Sequence, residues 1–132
     1  KTQVEASTSV SPQLTLAATK NAIQTSIATK NFAGLIPYME NPINFTLMST
    51  DCCQPQTPQE ASTQLEYVSE GVPFDFNQNH EIVSTIKTKN PQLADTFLGV
   101  STTKEHTAAF TINAENKISK IELSVSWKLY SY

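Results

Sequence analysis

The chain has 132 residues, which suits one domain built on one core. Only 16% of it is charged, against about 25% in ordinary globular chains, and Ser, Thr, Asn and Gln fill the difference. The net charge is −3 and all nine cations are lysines. That argues against a nucleic-acid binder, since phosphate binding wants clustered cations and the arginine readers of guanine are missing. No run approaches the roughly 18 apolar residues that would span a membrane.

Residues 1–11 are polar and rich in Ser and Thr, and they read as a linker after a removed anchor or signal. The expectation is an exported protein, extracellular or in the cell envelope, tethered upstream of Lys1, with one domain over residues 12–132. Ser11 at an N-cap with Pro12 behind it starts a helix that runs to Thr29. Leu16, Ile23 and Ile27 form its apolar stripe. Asn31 caps a second, short helix carrying Phe32, Leu35 and Ile36, which Pro37 or Pro42 ends. Residues 43–48 alternate, with Ile43, Phe45 and Leu47 on one face of a half-buried strand.

Thr57-Pro58-Gln59-Glu60 is a capping box with proline at the first helical position. Ala61, Leu65 and Val68 give that helix its buried stripe, and Gly71 stops it. "VPFDFNQN" reads as a loop. Asn79 then caps a short helix with Ile82 and Ile86 inward, ending before Pro91.

The last third changes period from 3.6 to 2. Phe97–Ser101 is a strand. His106, Ala108, Phe110 and Ile112 share a face of the next one, and Ile121, Leu123, Val125, Trp127 and Leu129 share a face of the last. An antiparallel hairpin that brings both faces together pairs Phe110 with Ile121, Ala108 with Leu123 and His106 with Val125. It leaves residues 114–117 as a four-residue loop. Helices first and an antiparallel sheet last make an α+β fold, with the first helix on the sheet's apolar face.

The stretch "AIQTSIATKNFAGLIPYMENPINFTL", the helix over residues 57–70 and the terminal meander resemble the NTF2-like (SnoaL-like, cystatin-type) α+β cone. "CCQPQTPQEA" and "FDFNQN" are similar to segments of small exported bacterial domains of that type. The resemblance implies a curved sheet with helices packed on it and a pocket inside the cone. It brings no activity with it, since the superfamily holds isomerases, dehydratases and non-catalytic binding modules. Its enzymes place an Asp–His or Tyr–Asp pair in the pocket, and this chain matches no such motif position by position.

The candidate pocket residues are His106, Trp127, Asp75, Phe76, Asn77 and Gln78. They offer apolar walls with a few convergent polar groups. The plain alternative makes "FDFNQN" a loop pinned by aromatics and His106 and Trp127 core residues. Cys52 and Cys53 are the only cysteines. As neighbours they serve as two reduced thiols, a strained vicinal disulfide, a bond to another chain or part of a metal site. The "CC" spacing is wrong for zinc. A conventional disulfide within the chain has no third cysteine to use.

The sequence therefore points to a non-catalytic exported module that is structural or binds a small apolar ligand or a protein of the same envelope assembly, with no cofactor and no metal. A homodimer is compatible with it. The alternatives are a small isomerase, lyase or hydrolase using His106 with a carboxylate such as Asp75, or a redox-responsive domain using the two thiols.

Overall fold

A computed structural model describes residues 14–48 and 55–130. The linker, the Ser11-Pro12 start signal and the cysteine pair lie outside the described residues.

Helix α1 spans Leu16–Thr29. Its cap is Thr15, whose Oγ1 accepts from the Ala18 N–H at 3.0 Å. Lys30 ends the helix in the left-handed region at φ 59°. The N–H groups of Lys30 and Asn31 return to the carbonyls of Ile27 and Ser26, which satisfies the last turn. The buried face is Thr19, Ile23, Ser26 and Ile27. Leu16, expected in that stripe, is 46% exposed. The polar Thr19 takes the inward position because its Oγ1 donates to the Asn116 carbonyl at 2.6 Å.

The second helix is a 3-10 segment, Phe32–Tyr38, with Pro37 inside it. Asn31 gives it no side-chain cap. Strand β1 spans Met39–Leu47, four residues earlier than the alternation indicates. Its ladder slips between Met39 and Asn44, the stretch that holds Pro42, a residue with no N–H to give.

The capping box forms as the sequence requires. Thr57 Oγ1 accepts from the Glu60 N–H at 3.2 Å, and Glu60 Oε1 accepts from the Thr57 N–H at 2.9 Å. Helix α2, Pro58–Gln64, passes into a 3-10 segment, Leu65–Gly71, so the expected single helix changes pitch midway. Ala61, Leu65 and Val68 are fully buried. The edge strand β2, Phe74–Asp75, follows, then α3, Glu81–Lys89, and a 3-10 turn, Pro91–Leu93. Strands β3, Phe97–Ser101, β4, Thr107–Ile112, and β5, Ile118–Ser124, lead to a final 3-10 segment, Trp127–Tyr130.

The five strands run β1-β5-β4-β3-β2 across the sheet. The β4–β5 hairpin has the expected register, with Phe110 opposite Ile121 and Ala108 opposite Leu123. A slip between Thr111 and Ile112 makes Ile118 the last partner, so the connection is one residue longer than expected. Asn113 organises that turn, its Oδ1 accepting the N–H groups of Glu115 and Lys117.

The structure corrects the expected sheet in three respects. First, β1 runs parallel to β5, so the sheet is mixed rather than antiparallel. Second, His106 lies before β4 and β5 ends at Ser124, so the pair His106–Val125 does not form; Val125 is 45% exposed. Third, both faces of the sheet are covered. Ile23 and Ile27 of α1 and Leu35 cluster with Phe45, Phe110, Ile121 and Leu123 on one face. Val83 and Ile86 of α3, with Leu93 and Tyr130, cluster with Leu98, Val100 and Ala109 on the other. The polar alternation in β5 concealed this second layer. Glu122 and Ser124 are buried there because their polar atoms have partners: the Tyr130 hydroxyl donates to Glu122 at 2.7 Å, and Ser124 Oγ donates to the Ser126 carbonyl at 2.7 Å.

Candidate functional site: two open grooves beside the first helix

The inner face of the sheet is where a cone would keep its hollow, and here side chains fill it. Phe76 stacks on Phe97 at 4.9 Å between centroids and tilts against Phe110 at 6.4 Å. It lies directly over Gly99, whose missing side chain leaves room for the ring. Phe76 is thus a core residue.

The rest of "FDFNQNH" is tied into the fold by its own amides and carboxylate. Asp75 Oδ1 accepts the Asn77 N–H at 2.8 Å, and Asn77 Oδ1 accepts the Asn79 N–H at 2.9 Å. These are successive side-chain turns. Gln78 reaches the edge of β3, donating to the Leu98 carbonyl at 3.0 Å and accepting its N–H at 3.2 Å. One side-chain amide replaces a strand partner there and closes the exposed ladder. His80, not Asn79, caps α3: its Nδ1 accepts the Ile82 N–H at 3.1 Å.

His106 sits between β3 and β4, with its ring against Gly71. Its carbonyl accepts the Ser101 N–H at 2.9 Å. Its buried Nδ1 has no hydrogen-bond partner among the described residues. Burial lowers the imidazole pKa below its ordinary value; Glu70 opposes that shift and Lys104 adds to it. Trp127 lies at the start of the last 3-10 segment and packs on the cluster of the opposite face. Its N–H donates to the Glu105 carbonyl at 2.9 Å. The six residues singled out from the sequence therefore serve four places: Phe76 the inner core, Trp127 the outer one, Asp75, Asn77 and Gln78 the sheet edge, and His106 the turn between β3 and β4 against Gly71. Among the described residues, no three His, Cys, Asp or Glu side chains converge as metal ligands. None of the described helices is long and apolar enough to cross a membrane.

No family model, curated protein or solved structure matches this chain significantly.

Two open grooves flank α1. The first, about 320 Å³, lies between α1 and the β2 edge. Asn21, Gln24 and Thr25 give it a neutral polar rim above Pro73, Phe74 and Phe76. The second, about 290 Å³, lies at the end of the sheet where β3 begins and β4 stops. Its floor is Leu16, Phe97 and Ile112, and its charged groups are Lys20 of α1, Lys87 of α3 and Asp95. The Lys20 ammonium stands 5.2 Å from the centre of the Phe97 ring. Burial lowers the Lys87 pKa, and the Lys20 charge lowers it further against the pull of Asp95. The Lys20 charge thus acts on Lys87 across the groove.

Neither lysine was distinguishable from the other seven in the sequence. Their meeting depends on α1 and α3 covering opposite faces of one sheet and reaching the same end of it. Phe97 carried a signal, as the aromatic that opens a strand, but only as core.

Proposed function

We propose that this chain is a non-catalytic binding module on an NTF2-like scaffold and that it works as an exported protein. The single observation that carries the reading is that Asp75, the carboxylate the sequence offered to His106, is engaged in a local turn instead. Asp75 spends its carboxylate on the Asn77 N–H. The charged groups acting on His106 are Glu70 and Lys104. An acid–base catalyst needs both groups within hydrogen-bond reach of one substrate. The filled inner face agrees, because it moves ligand binding to the open grooves beside α1.

The scaffold assignment is supported by element order: a long helix, a short one, a strand, a capped helix, another helix and three strands. The clustering of α1 with Phe110, Ile121 and Leu123 supports it as well. Export is supported by the Ser- and Thr-rich, weakly charged composition.

The test is a screen of a small-molecule library against the labelled protein by NMR, with the compounds recovered and weighed afterwards. Reversible shifts at groove residues with unchanged compound masses are expected. Conversion of any compound that disappears in His106→Gln overturns the non-catalytic reading. Protease accessibility of the full-length protein in intact producing cells tests export, and protection there overturns it.

A further inference from the structure

The groove between Lys20, Lys87 and Asp95 has a chemistry that selects its ligand. Two ammonium groups face one carboxylate, so it holds a single excess positive charge. The Lys87 ammonium makes no hydrogen bond or ion pair within contact distance among the described residues. Lys20 rests over an aromatic ring rather than on an anion. Below the cations lies the apolar floor, of which Leu16 is 46% exposed although it belongs to a well-formed helix.

We infer that this groove binds a small amphipathic carboxylate, with its head between the Lys20 and Lys87 ammoniums and its apolar tail along Phe97, Ile112 and Leu16. The inference rests on the binding-module reading and names the ligand class. The volume of about 290 Å³ is at the lower end for ligand pockets, which suits a ligand of about ten heavy atoms. One excess charge matches a monoanion. Asp95 repels a second negative charge, which disfavours a phosphate dianion. The tail covers Leu16 and gains the transfer free energy of that exposed surface. The anion also relieves the repulsion between the cations, so binding raises the lowered Lys87 pKa.

The experiment uses octanoate and its neutral counterpart octanamide, titrated by NMR into the wild-type protein, Lys20→Gln and Lys87→Gln. Both substitutions are at side chains that reach solvent, and matching spectra outside the groove show that each variant is folded. Octanoate is expected to bind at about millimolar strength, which is the scale for a ligand of this size in an open groove. It should shift Leu16, Phe97 and Ile112 and weaken as salt rises. Each variant should lose up to about fivefold in affinity, the scale of one solvent-screened ion pair. Octanamide should bind the wild type more weakly than octanoate does. A lysine-selective titration should show the Lys87 pKa rising with octanoate.

Equal binding of octanamide, unchanged affinity in both variants, or an unmoved Lys87 titration each overturns the proposal. Octanoate shifts confined to Asn21, Gln24 and Phe74 also overturn it, while leaving the binding-module reading standing. Turnover of a compound at His106 sinks that reading instead and leaves octanoate at the lysines unaffected.

Discussion

A single methyl group at Gly99 probes the packing of the whole inner face. A Cβ built there lies 2.5 Å from Phe76 Cε1, 2.6 Å from Cζ and 2.9 Å from Cδ1. Carbon atoms in ordinary contact stand about 3.5–4.0 Å apart, so the ring must retreat by about 1 Å. It has little freedom to do so, being stacked on Phe97 at 4.9 Å with Phe110 and Phe74 beside it. Overpacking of this kind costs about 1–3 kcal/mol. Gly99 has no positive φ, so alanine fits its backbone and returns about 0.5–1 kcal/mol through lower chain entropy. Gly99→Ala is expected to lose about 1–2 kcal/mol in urea denaturation, with an unchanged m-value. In a Phe76→Leu background the loss should shrink by about 1 kcal/mol, because the clashing ring edge is gone. A Gly99→Ala protein as stable as wild type refutes the packing argument. So does an equal loss in both backgrounds.

Other perturbations read other parts of the fold. Thr57→Ala removes one side of the capping box and should cost about 1 kcal/mol of unfolding free energy; Ser at the same position should restore most of it. Tyr130→Phe leaves buried Glu122 without its hydroxyl donor and should cost about 1–3 kcal/mol. Burial, then Glu122, raises the Tyr130 pKa well above its ordinary value. The folded chain therefore keeps a proton that the unfolded chain releases, and stability should fall as pH rises beyond about 10. Denaturation across that range should show a smaller decline in Tyr130→Phe, and an identical decline would refute the assignment. His106 works in the opposite sense. Its folded pKa lies below the usual value, so the unfolded chain takes up the proton first and stability should fall as pH drops through about 6.5. His106→Gln should flatten that acidic slope, and an NMR titration should place the His106 midpoint below about 6.5.

The sequence made some of this fold legible and hid the rest for identifiable reasons. The capping box over Thr57–Glu60 was readable because its two hydrogen bonds need only local spacing. The Phe110–Ile121 register was readable because a one-residue slip would put the two apolar faces on opposite sides of the sheet. The outer layer was hidden because Glu122 and Ser124 look like solvent-facing residues until Tyr130 and Ser126 are brought to them. The parallel β1–β5 pairing carries no local signal at all, since nothing adjacent to either strand encodes it. As for the site, "FDFNQN" suggested a polar pocket rim. Its polar groups bond to neighbouring backbone and to Leu98, and Gln78 also lines the second groove. The grooves beside α1 depend on tertiary placement, so residues such as Lys20 and Lys87 could not be paired from spacing.

Strand β5 sits between β1 and β4, and Phe45 finds its partner Ile121 only after more than half of the chain has been made. Until then β1 has nothing to zip against, and its loop-closure entropy stays unrecovered. A nascent chain emerging from synthesis would thus stay unlocked until its last strand arrived. Removal of the residues after Ile112 should leave a collapsed polypeptide without this sheet rather than a smaller version of it.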